Sequence, residues 1–291
     1  MKNIKIYRIL GAVVMAVAAI VLLAVAVPVF FFDQFLIGGS SMEPTLHTGD
    51  HVLVNKLLHG ARIYRTYDFS VPEMECFRMP GFRKVRPGDI VVFNNPDAHK
   101  GKGLSFRIND VYAKRCIGNP GDTVSVVNGF YSNSSIKGPI GNVMNQQELS
   151  ETPDSVLSGH GVVLKAAQFA GRYGKWTIKD FGPLRVPAKG DIVKLSSGNV
   201  RLYSKIIRYE TGMAPSVKDG KVLFDGIPVD EYEFTHDYYF FGGDNVLDSR
   251  DSRYFGLVPD EFIVGVVTRV LFSRPAATGK TDRSRFWKKL P

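Results

Sequence analysis

Residues 86–93 read RPGDIVVF, a Gly-Asp turn followed at once by four β-branched or aromatic residues. The Gly-Asp pair recurs at 49–50, 121–122 and 190–191, each time before a run rich in Val and Ile. Glycine supplies the backbone conformation that tight turns need, and β-branched residues favour strands. The unequal intervals exclude a solenoid repeat. The pattern therefore predicts antiparallel hairpins whose strands begin at these turns.

The rest of the chain favours the same class of structure. Residues 222–224, 238–241 and 264–272 are further strand candidates, and Asp225-Gly226 predicts a turn after the first of them. Long helical periodicity is hard to find after residue 32, so we expect a mostly β domain of coiled antiparallel sheets. The weakly patterned stretches 61–84 and 132–161 are predicted to be surface loops or an inserted cap.

The N-terminal region differs sharply from this pattern. Residues 9–32, ILGAVVMAVAAIVLLAVAVPVFFF, are 24 consecutive residues without a charge, amide or hydroxyl. At about 1.5 Å per residue, a helix of this length crosses a hydrocarbon core of roughly 30 Å. Lys2, Lys5, Arg8 and Ala24-Val25-Ala26 imitate a cleavable signal peptide, but the apolar region of such a peptide is only about 7–15 residues long. We therefore predict one transmembrane anchor.

The basic residues predict how this anchor is oriented. Three Lys or Arg residues precede the apolar run, and none follows it until Lys56. The positive-inside rule then keeps the N-terminus in the cytoplasm and places the rest of the chain outside, as a single-pass ectodomain.

The net charge of +9 has two readings. No helix-turn-helix, zinc-finger or RNP-type signature accompanies it, so nucleic-acid binding is not expected. Contact with anionic lipid head groups explains the excess, and a solvated, frayed C-terminus explains its tail equally well. Five basic residues lie in that tail, at Lys280, Arg283, Arg285, Lys288 and Lys289.

Cysteine and histidine usage indicates no metal or other cofactor. Cys76 and Cys116 could form one disulfide in an oxidising compartment, although a small buried thiol is the simpler role for Cys116. His47 and His51 flank a Gly-Asp turn instead of sharing a helix face, so they do not have metal-ligand spacing.

Three segments contain residues suited to catalysis. They are GGSSMEPTL at 38–46, YAKRCIGNPGD at 112–122, and GGDNVLDSRDSR at 242–253. Taken singly, the first and third are typical of polar turns, and a lone lysine is usually solvated. The position of Ser41, nine residues beyond the apolar run, would place a nucleophile at the bilayer surface.

Together and in this order, these segments resemble the type I signal peptidases. The matching residues are S-M-x-P-T-L at 41–46, RPGDIVVF at 86–93, Lys114-Arg115, and GDN with a later S and DSR within 243–253. The resemblance implies Ser41 as nucleophile and Lys114 as general base. The endoplasmic reticulum relatives carry histidine in place of this lysine, so a bacterial enzyme is implied.

The family also implies a domain plan of the signal peptidase and repressor type. We expect a cytoplasmic N-terminus at 1–8, the anchor at 9–32, and a catalytic β core at 33–124 and 238–273. An inserted β-rich cap would occupy 125–237, and a basic tail 274–291.

A lysine acts as a base only when it is neutral. With an ordinary pKa near 10.4, about one lysine in a thousand is neutral at pH ~7.4, so the pKa of Lys114 must fall by roughly 2–3 units, which burial can supply. We expect Arg115 to turn away from this lysine onto Asp251, which Arg253 would share. By resemblance, Ser249 hydrogen-bonds the lysine, and Asp244 belongs to the same supporting box.

The oxyanion of the reaction needs hydrogen-bond donors. The Ser41 backbone N–H is one candidate. Some relatives supply a second from a serine two positions earlier, but this chain has Gly39 there, which leaves Ser40 or another backbone amide. By position, the family nominates the residues that line small apolar pockets, although each could equally be an ordinary core residue: Phe35, Ile37, Met42, Leu46, Val52, Val92, Tyr112 and Ala113.

The implied substrates are signal peptides of exported preproteins, cut after small residues of the Ala-x-Ala type at the outer face of the bacterial cytoplasmic (inner) membrane. The implied partners are these substrates and the lipid bilayer. We expect a monomer without a cofactor, and a place near the translocation machinery is compatible with this role.

Three alternative functions fit parts of the sequence. Ser134-x-x-Lys137 fits the opening motif of penicillin-recognising enzymes, but the later motifs of that group do not follow it. The self-cleaving repressors share the Ser/Lys pair, but they are soluble proteins with a DNA-binding front end. An inactive, membrane-tethered binder of export substrates would be expected to lack Ser41 or Lys114.

Overall fold

The computed structural model describes residues 2–65, 76–97, 103–105, 107–166 and 176–290. The first helix, α1, spans Lys2–Ala26 and continues as a turn of π-helix over Val27–Phe31. Within it, Tyr7–Phe31 is long and apolar enough to cross a membrane, and none of it is buried inside the protein. The sequence extends the span to Phe32, whereas in the structure Phe32 already opens the first strand.

The remaining elements are mostly strands, as the sequence predicts. The strands are β1 (Phe32–Leu36), β2 (Asp50–Asn55), β3 (Arg62–Tyr64), β4 (Cys76–Arg78), β5 (Ile90–Asn94), β6 (Val111–Gly118), β7 (Thr123–Val127), β8 (Phe130–Asn133), β9 (Phe181–Arg185), β10 (Ile192–Lys194), β11 (Ser216–Lys218), β12 (Lys221–Phe224), β13 (Ile227–Pro228), β14 (Glu231–Glu233), β15 (Tyr238–Gly242), β16 (Val258–Pro259), β17 (Ile263–Ser273) and β18 (Lys288–Lys289). The helices after α1 are α2 (Val143–Glu151), α3 (Asp154–Gly159), α4 (Val200–Thr211) and α5 (Ser252–Phe255).

The main sheet has the order β1-β2-β17-β5-β6-β15-β16, and β18 also pairs with β17. Its pairings are antiparallel. The register shifts where β17 meets β2 and β5, and where β15 meets β6. Such bulges bend and twist a strand, so the sheet curls and β17 can pair with β2, β5 and β18. Strand β1, which follows the membrane helix, lies at one edge.

All four Gly-Asp turns precede strands, namely β2, β5, β7 and β10. Their glycines have φ values of 96°, 97°, 90° and 84°, where a side chain would be strained. In each turn the aspartate N–H donates to the carbonyl three residues earlier, and its carboxylate accepts the N–H of that same residue. The carboxylate thus closes the turn, which is why the dipeptide predicts the start of a strand so well.

The end of the membrane helix is tied directly to the sheet. Lys56, just after β2, donates its backbone N–H to the Phe31 carbonyl over 2.8 Å. Its ammonium donates to the Pro28 carbonyl over 2.6 Å and pairs with Asp33 at 2.9 Å. The helix and the main sheet are therefore joined without an intervening linker.

The chain between β6 and β15 forms three small sheets, β8-β7-β9, β10-β14 and β11-β12-β13, together with α2, α3 and α4. The largest cluster of buried apolar residues joins this region to the main sheet, for example through Ile206 of α4 and Phe240 of β15. Residues 225–226 turn the chain between β12 and β13, as predicted.

Some local expectations are wrong. The sequence suggested little helical periodicity after residue 32, but α4 has buried apolar residues at 202, 203, 206 and 207, which is a helical spacing. The strand-like segments on either side made this spacing hard to recognise. Residues 132–161, predicted to be surface loops or an inserted cap, contain α2 and α3, so the prediction of loops is wrong and that of a cap stays a prediction. Residues 61–84 include the β3-β4 hairpin, and their portion 66–75 lies outside the described residues.

The C-terminal tail is docked on the sheet, so the interpretation of a frayed terminus is wrong. Arg285 is only 5% exposed, and its guanidinium donates to both carboxylate oxygens of Asp50, one of them over 2.8 Å. It also donates to the Thr45 carbonyl over 3.1 Å. The tail therefore holds the segment between β1 and β2 from outside.

We predict that Arg285→Ala destabilises the protein by about 3–5 kcal/mol, because it leaves the Asp50 carboxylate buried without its cation. Arg283→Ala, two residues earlier and exposed, is the matched control and should change stability by no more than about 0.5 kcal/mol. Equilibrium denaturation of the full chain in detergent measures both. Equal effects of the two substitutions would contradict this role of the tail.

Candidate active site

Ser41 lies in the segment that connects β1 to β2. Two of its neighbours, Met42 and Leu46, are fully buried and anchor the segment in an apolar cluster under the sheet. The Ser41 carbonyl accepts the Asn245 N–H over 3.1 Å. Both faces of the segment are therefore fixed, and the Ser41 side chain is held in one direction.

Lys114 lies in the middle of β6, opposite Val91 of β5. Its side chain is buried, with 3% of the residue exposed. The Lys114 Nζ donates to the Ser41 Oγ, and it lies 5.6 Å from the centre of the Tyr112 ring. A central strand thus carries the amine, and a neighbouring aromatic ring helps to exclude water from it.

Burial lowers the pKa of Lys114 from 10.5 to about 8. Desolvation is the largest cause; Arg253 also lowers the pKa, while Asp251, Asp248 and Asp244 raise it. At about 1.4 kcal/mol per pKa unit, the net bias against the ammonium is about 3 kcal/mol. About one in five such amines is then neutral at pH ~7.4, so the desolvation that the sequence argument requires outweighs the nearby carboxylates.

Among these carboxylates, Asp251 raises the pKa of Lys114 most. It is fully buried, and its oxygens accept hydrogen bonds from other groups. It accepts Nε and Nη2 of Arg253, each over 2.8 Å, and the Gly243 N–H over 3.0 Å. Ser249 Oγ also donates to it over 2.8 Å. The expectation that Ser249 hydrogen-bonds Lys114 is not met: the side-chain hydrogen bond of Lys114 goes to Ser41, and the Ser249 hydroxyl donates to Asp251.

Arg115 points to a different partner from the one expected. Its Nε and Nη2 donate to the two carboxylate oxygens of Asp244 over 2.7 and 2.6 Å. Neighbouring residues of a strand point to opposite faces, so Arg115 turns away from the Ser41 side as predicted. Its predicted pairing with Asp251 is wrong, because Arg115 pairs with Asp244 and the cation that pairs with Asp251 is Arg253.

A row of hydrogen bonds joins residues 40–45 to residues 244–248. Ser40 Oγ donates to Asp248, and Thr45 Oγ1 donates to Asp244 over 2.5 Å. With the Ser41–Asn245 backbone bond, these contacts link two parts of the chain about 200 residues apart. They fix the distance between the serine and the strand that carries the lysine.

The hydroxyl of Ser40 is therefore occupied by Asp248. Gly39 has no side chain and open space around it. The Ser41 backbone N–H therefore remains the first candidate for an oxyanion donor. The source of the second donor stays a prediction.

A cleft of about 390 Å³ runs past Ser41 and Lys114. Six of the eight nominated pocket residues line it, namely Phe35, Ile37, Met42, Val92, Tyr112 and Ala113. The other two, Leu46 and Val52, are fully buried in the cluster beneath and do not reach the cleft. Their nomination is wrong, since they are core residues.

Sequence reasoning missed part of the lining. Leu36, Gly38, Val111, Asp248 and Arg250 also border the cleft. Asp248 and Arg250 flank Ser249 in a segment that the sequence had singled out, so their neighbourhood was a usable signal. Val111 and Leu36 carried none, because their exposure depends on how the sheet curls.

The remaining cysteine and metal questions have simple outcomes. Both Cys76 and Cys116 are free thiols, and the buried Cys116 donates to Asn119 over 3.2 Å. Within the described residues, no group of three or more His, Cys, Asp or Glu side chains is arranged to hold a metal ion.

Comparison with known proteins gives a consistent picture. A family model described as "Signal peptidase, peptidase S26" matches residues 10–272. Signal peptidase I T of Bacillus subtilis (strain 168) is 27% identical over 258 residues, 88% of this chain and 82% of the relative. Signal peptidase I of Pseudomonas aeruginosa is 25% identical over 256 residues, 84% of this chain and 66% of the relative.

A crystal structure of a signal peptidase I from Enterococcus faecalis V583 covers 64% of this chain and 97% of its own, at 20% identity and a TM-score of 0.27. This superposition adds nothing to the assignment, which rests on the sequence matches. Because the family model extends over most of the sequence, the chain belongs to the signal peptidase family, peptidase S26, among the type I signal peptidases.

Proposed function

We propose that this chain is a serine endopeptidase that removes N-terminal signal peptides from exported preproteins, with Ser41 as nucleophile and Lys114 as general base. The hydrogen bond between Lys114 Nζ and Ser41 Oγ, inside a cleft and with the amine buried, is the observation that carries these roles. A hydroxyl is a poor nucleophile unless a base takes its proton.

The reaction follows from this contact. Neutral Lys114 accepts the Ser41 proton while Oγ bonds to the carbonyl carbon of the substrate, which gives a tetrahedral oxyanion. When the intermediate collapses, the C–N bond breaks and the Lys114 ammonium returns a proton to the leaving amine. Water, deprotonated by the same amine, then attacks the Ser41 ester. The acyl C–Oγ bond breaks, the Lys114 ammonium returns the proton to Ser41 Oγ, and the signal peptide leaves as an acid that ionises to its carboxylate.

Substrate selection would take place in the cleft of about 390 Å³. Strand β1 is an edge strand that pairs with β2 on one side only, so its other side can accept an extended peptide. Alternate side chains of such a peptide point the same way. The first and third residues before the cut would then enter the apolar lining near Ile37 and Ala113, which suits alanine-sized side chains.

The anchor would hold this site at the membrane. We place residues 1–8 in the cytoplasm and the rest of the chain after the helix outside, because Lys and Arg precede the span and are absent just after it. The bacterial inner membrane, a monomeric state and a cap formed by residues 125–237 belong to the same proposal. The partners are signal peptides and lipid.

A non-catalytic binder of export substrates is the alternative. The Ser41–Lys114 contact favours the enzyme, because a binder has no need of a buried amine with a lowered pKa beside a hydroxyl. A serine-directed acylating probe separates the two, since a binder would leave Ser41 unlabelled.

Ser41→Ala and Lys114→Met are expected to lower cleavage of a signal-bearing preprotein by at least about 1,000-fold, because each removes half of the dyad. The controls are Ser134→Ala and Lys137→Met, from the Ser-x-x-Lys sequence at 134–137, which should cut at the wild-type rate. Near-normal turnover by either dyad variant would eliminate the mechanism.

The pH dependence of kcat/KM should report the titration of Lys114. Since the amine is a base only when neutral and has a pKa of about 8, the rate should rise with pH below about 8 and level off above it. Rates measured from about pH 6 to about pH 10 test this. A rate that still rises steeply at about pH 10 would show that the amine keeps its ordinary pKa of 10.5 and is not desolvated.

Gly243→Ala should lower kcat roughly 10- to 100-fold by displacing the nucleophile. A Cβ at residue 243 would clash with the Ser249 hydroxyl and lie 2.6 Å from the Ser41 carbonyl oxygen. Gly159→Ala, where a Cβ meets no atom within 4 Å, is the control and should be fully active. Full activity of Gly243→Ala would show that this close approach does not position Ser41.

A further inference from the structure

A second cleft, of about 370 Å³, lies beside the first and has no role in the mechanism above. Its lining comes from two separate parts of the chain: residues 161–165, with residue 164 excepted, and residues 247–250 together with Tyr254. The first part belongs to the region between β6 and β15, so this region contributes directly to a surface next to the dyad.

The two clefts are adjacent and share two lining residues. Asp248 and Arg250 line both of them. The Asp248 carboxylate accepts the hydroxyl proton of Ser40, the residue before Ser41. The second cleft therefore begins at the rim that supports the nucleophile.

The position of the border formed by Asp248 and Arg250 indicates which part of the substrate passes over it. Strand β1 follows the membrane helix and borders the first cleft through Phe35 and Leu36. The part of the substrate before the cut lies along this border in the proposed mode of binding. The part after the cut must leave the first cleft on another side. Asp248 and Arg250 border the first cleft on such a side, and beyond them lies the second cleft.

We propose that the second cleft binds the first residues after the cut bond and that Lys165 selects acidic side chains among them. This rests on the proposed function, because it assigns the leaving half of the same substrate. It makes the region between β6 and β15 a determinant of which preproteins are cut efficiently.

The walls of the cleft suit a short extended peptide. Val162, Val163, Leu247 and Tyr254 give it an apolar surface. The Tyr254 hydroxyl donates to the Val163 carbonyl over 2.9 Å, and this bond joins the two parts of the lining. The cleft is therefore held open by a specific contact between segments 91 residues apart.

The charges give the cleft its preference. Arg250 is paired with Asp97 at 2.6 Å. Asp248 accepts the Ser40 hydroxyl, which does not neutralise its carboxylate, and it lies at the end of the cleft shared with the first one. Lys165 is exposed, and the described residues include no ion-pair partner for it. Its ammonium is thus available to a carboxylate of the substrate.

The test compares two preproteins with the same signal peptide and with either Asp or Lys at the second to fifth residues after the cut. The full-length wild-type enzyme in detergent should cut the acidic one about 2- to 5-fold more efficiently in kcat/KM, as an exposed ion pair allows. Lys165→Glu should bring this ratio below one. The preference should fade in about 0.5 M salt, because salt screens exposed charges.

The matched control is Lys218→Glu, which makes the same charge change on β11, outside both clefts. It should keep the wild-type ratio. A ratio that Lys165→Glu leaves unchanged, or that Lys218→Glu alters equally, would overturn the assignment while cleavage of both substrates still supports the proposed function. Failure of the wild type to cut either preprotein would count against the proposed function itself.

Discussion

Removing one amine from water is the constraint on which this site depends. An ammonium is strongly hydrated, and the structure opposes it with about 3 kcal/mol by placing Lys114 on a central strand under an aromatic ring. Asp251 would reverse the effect if it faced the amine unpaired. Arg253, the Gly243 N–H and the Ser249 hydroxyl occupy this carboxylate instead, and desolvation remains the largest influence on the pKa of Lys114.

The same constraint explains the polar framework around the dyad. A buried carboxylate needs a cation and hydrogen-bond donors to remain in place. Asp244 receives Arg115 and Thr45, and Asp50 receives Arg285. Each of these pairs bridges distant parts of the sequence, and together they position the loop of Ser41 against β6. Stability and catalytic geometry therefore rest on the same contacts.

How far the sequence predicts this structure depends on the range of the interaction involved. The Gly-Asp turns are closed by their own carboxylates within four residues, so the strands that follow them could be located. The curl of the sheet and the burial of Leu46 and Val52 depend on strands far away in sequence. The partner of Arg115 is of the same kind, because Asp244 lies 129 residues away. The pairing of Arg253 with Asp251 joins residues only two positions apart, and this part of the expectation is met.

The junction between the helix and β1 has a consequence for which bonds can be reached. Because Lys56 joins the end of the helix to the sheet, the β domain cannot rotate freely relative to the helix. Ser41 follows Phe32 by nine residues, which at about 3.3 Å each is a reach of roughly 30 Å at most. In a bilayer, the enzyme would then hold its nucleophile at a fixed distance above the lipid, and a peptide bond at a different distance would not be cut.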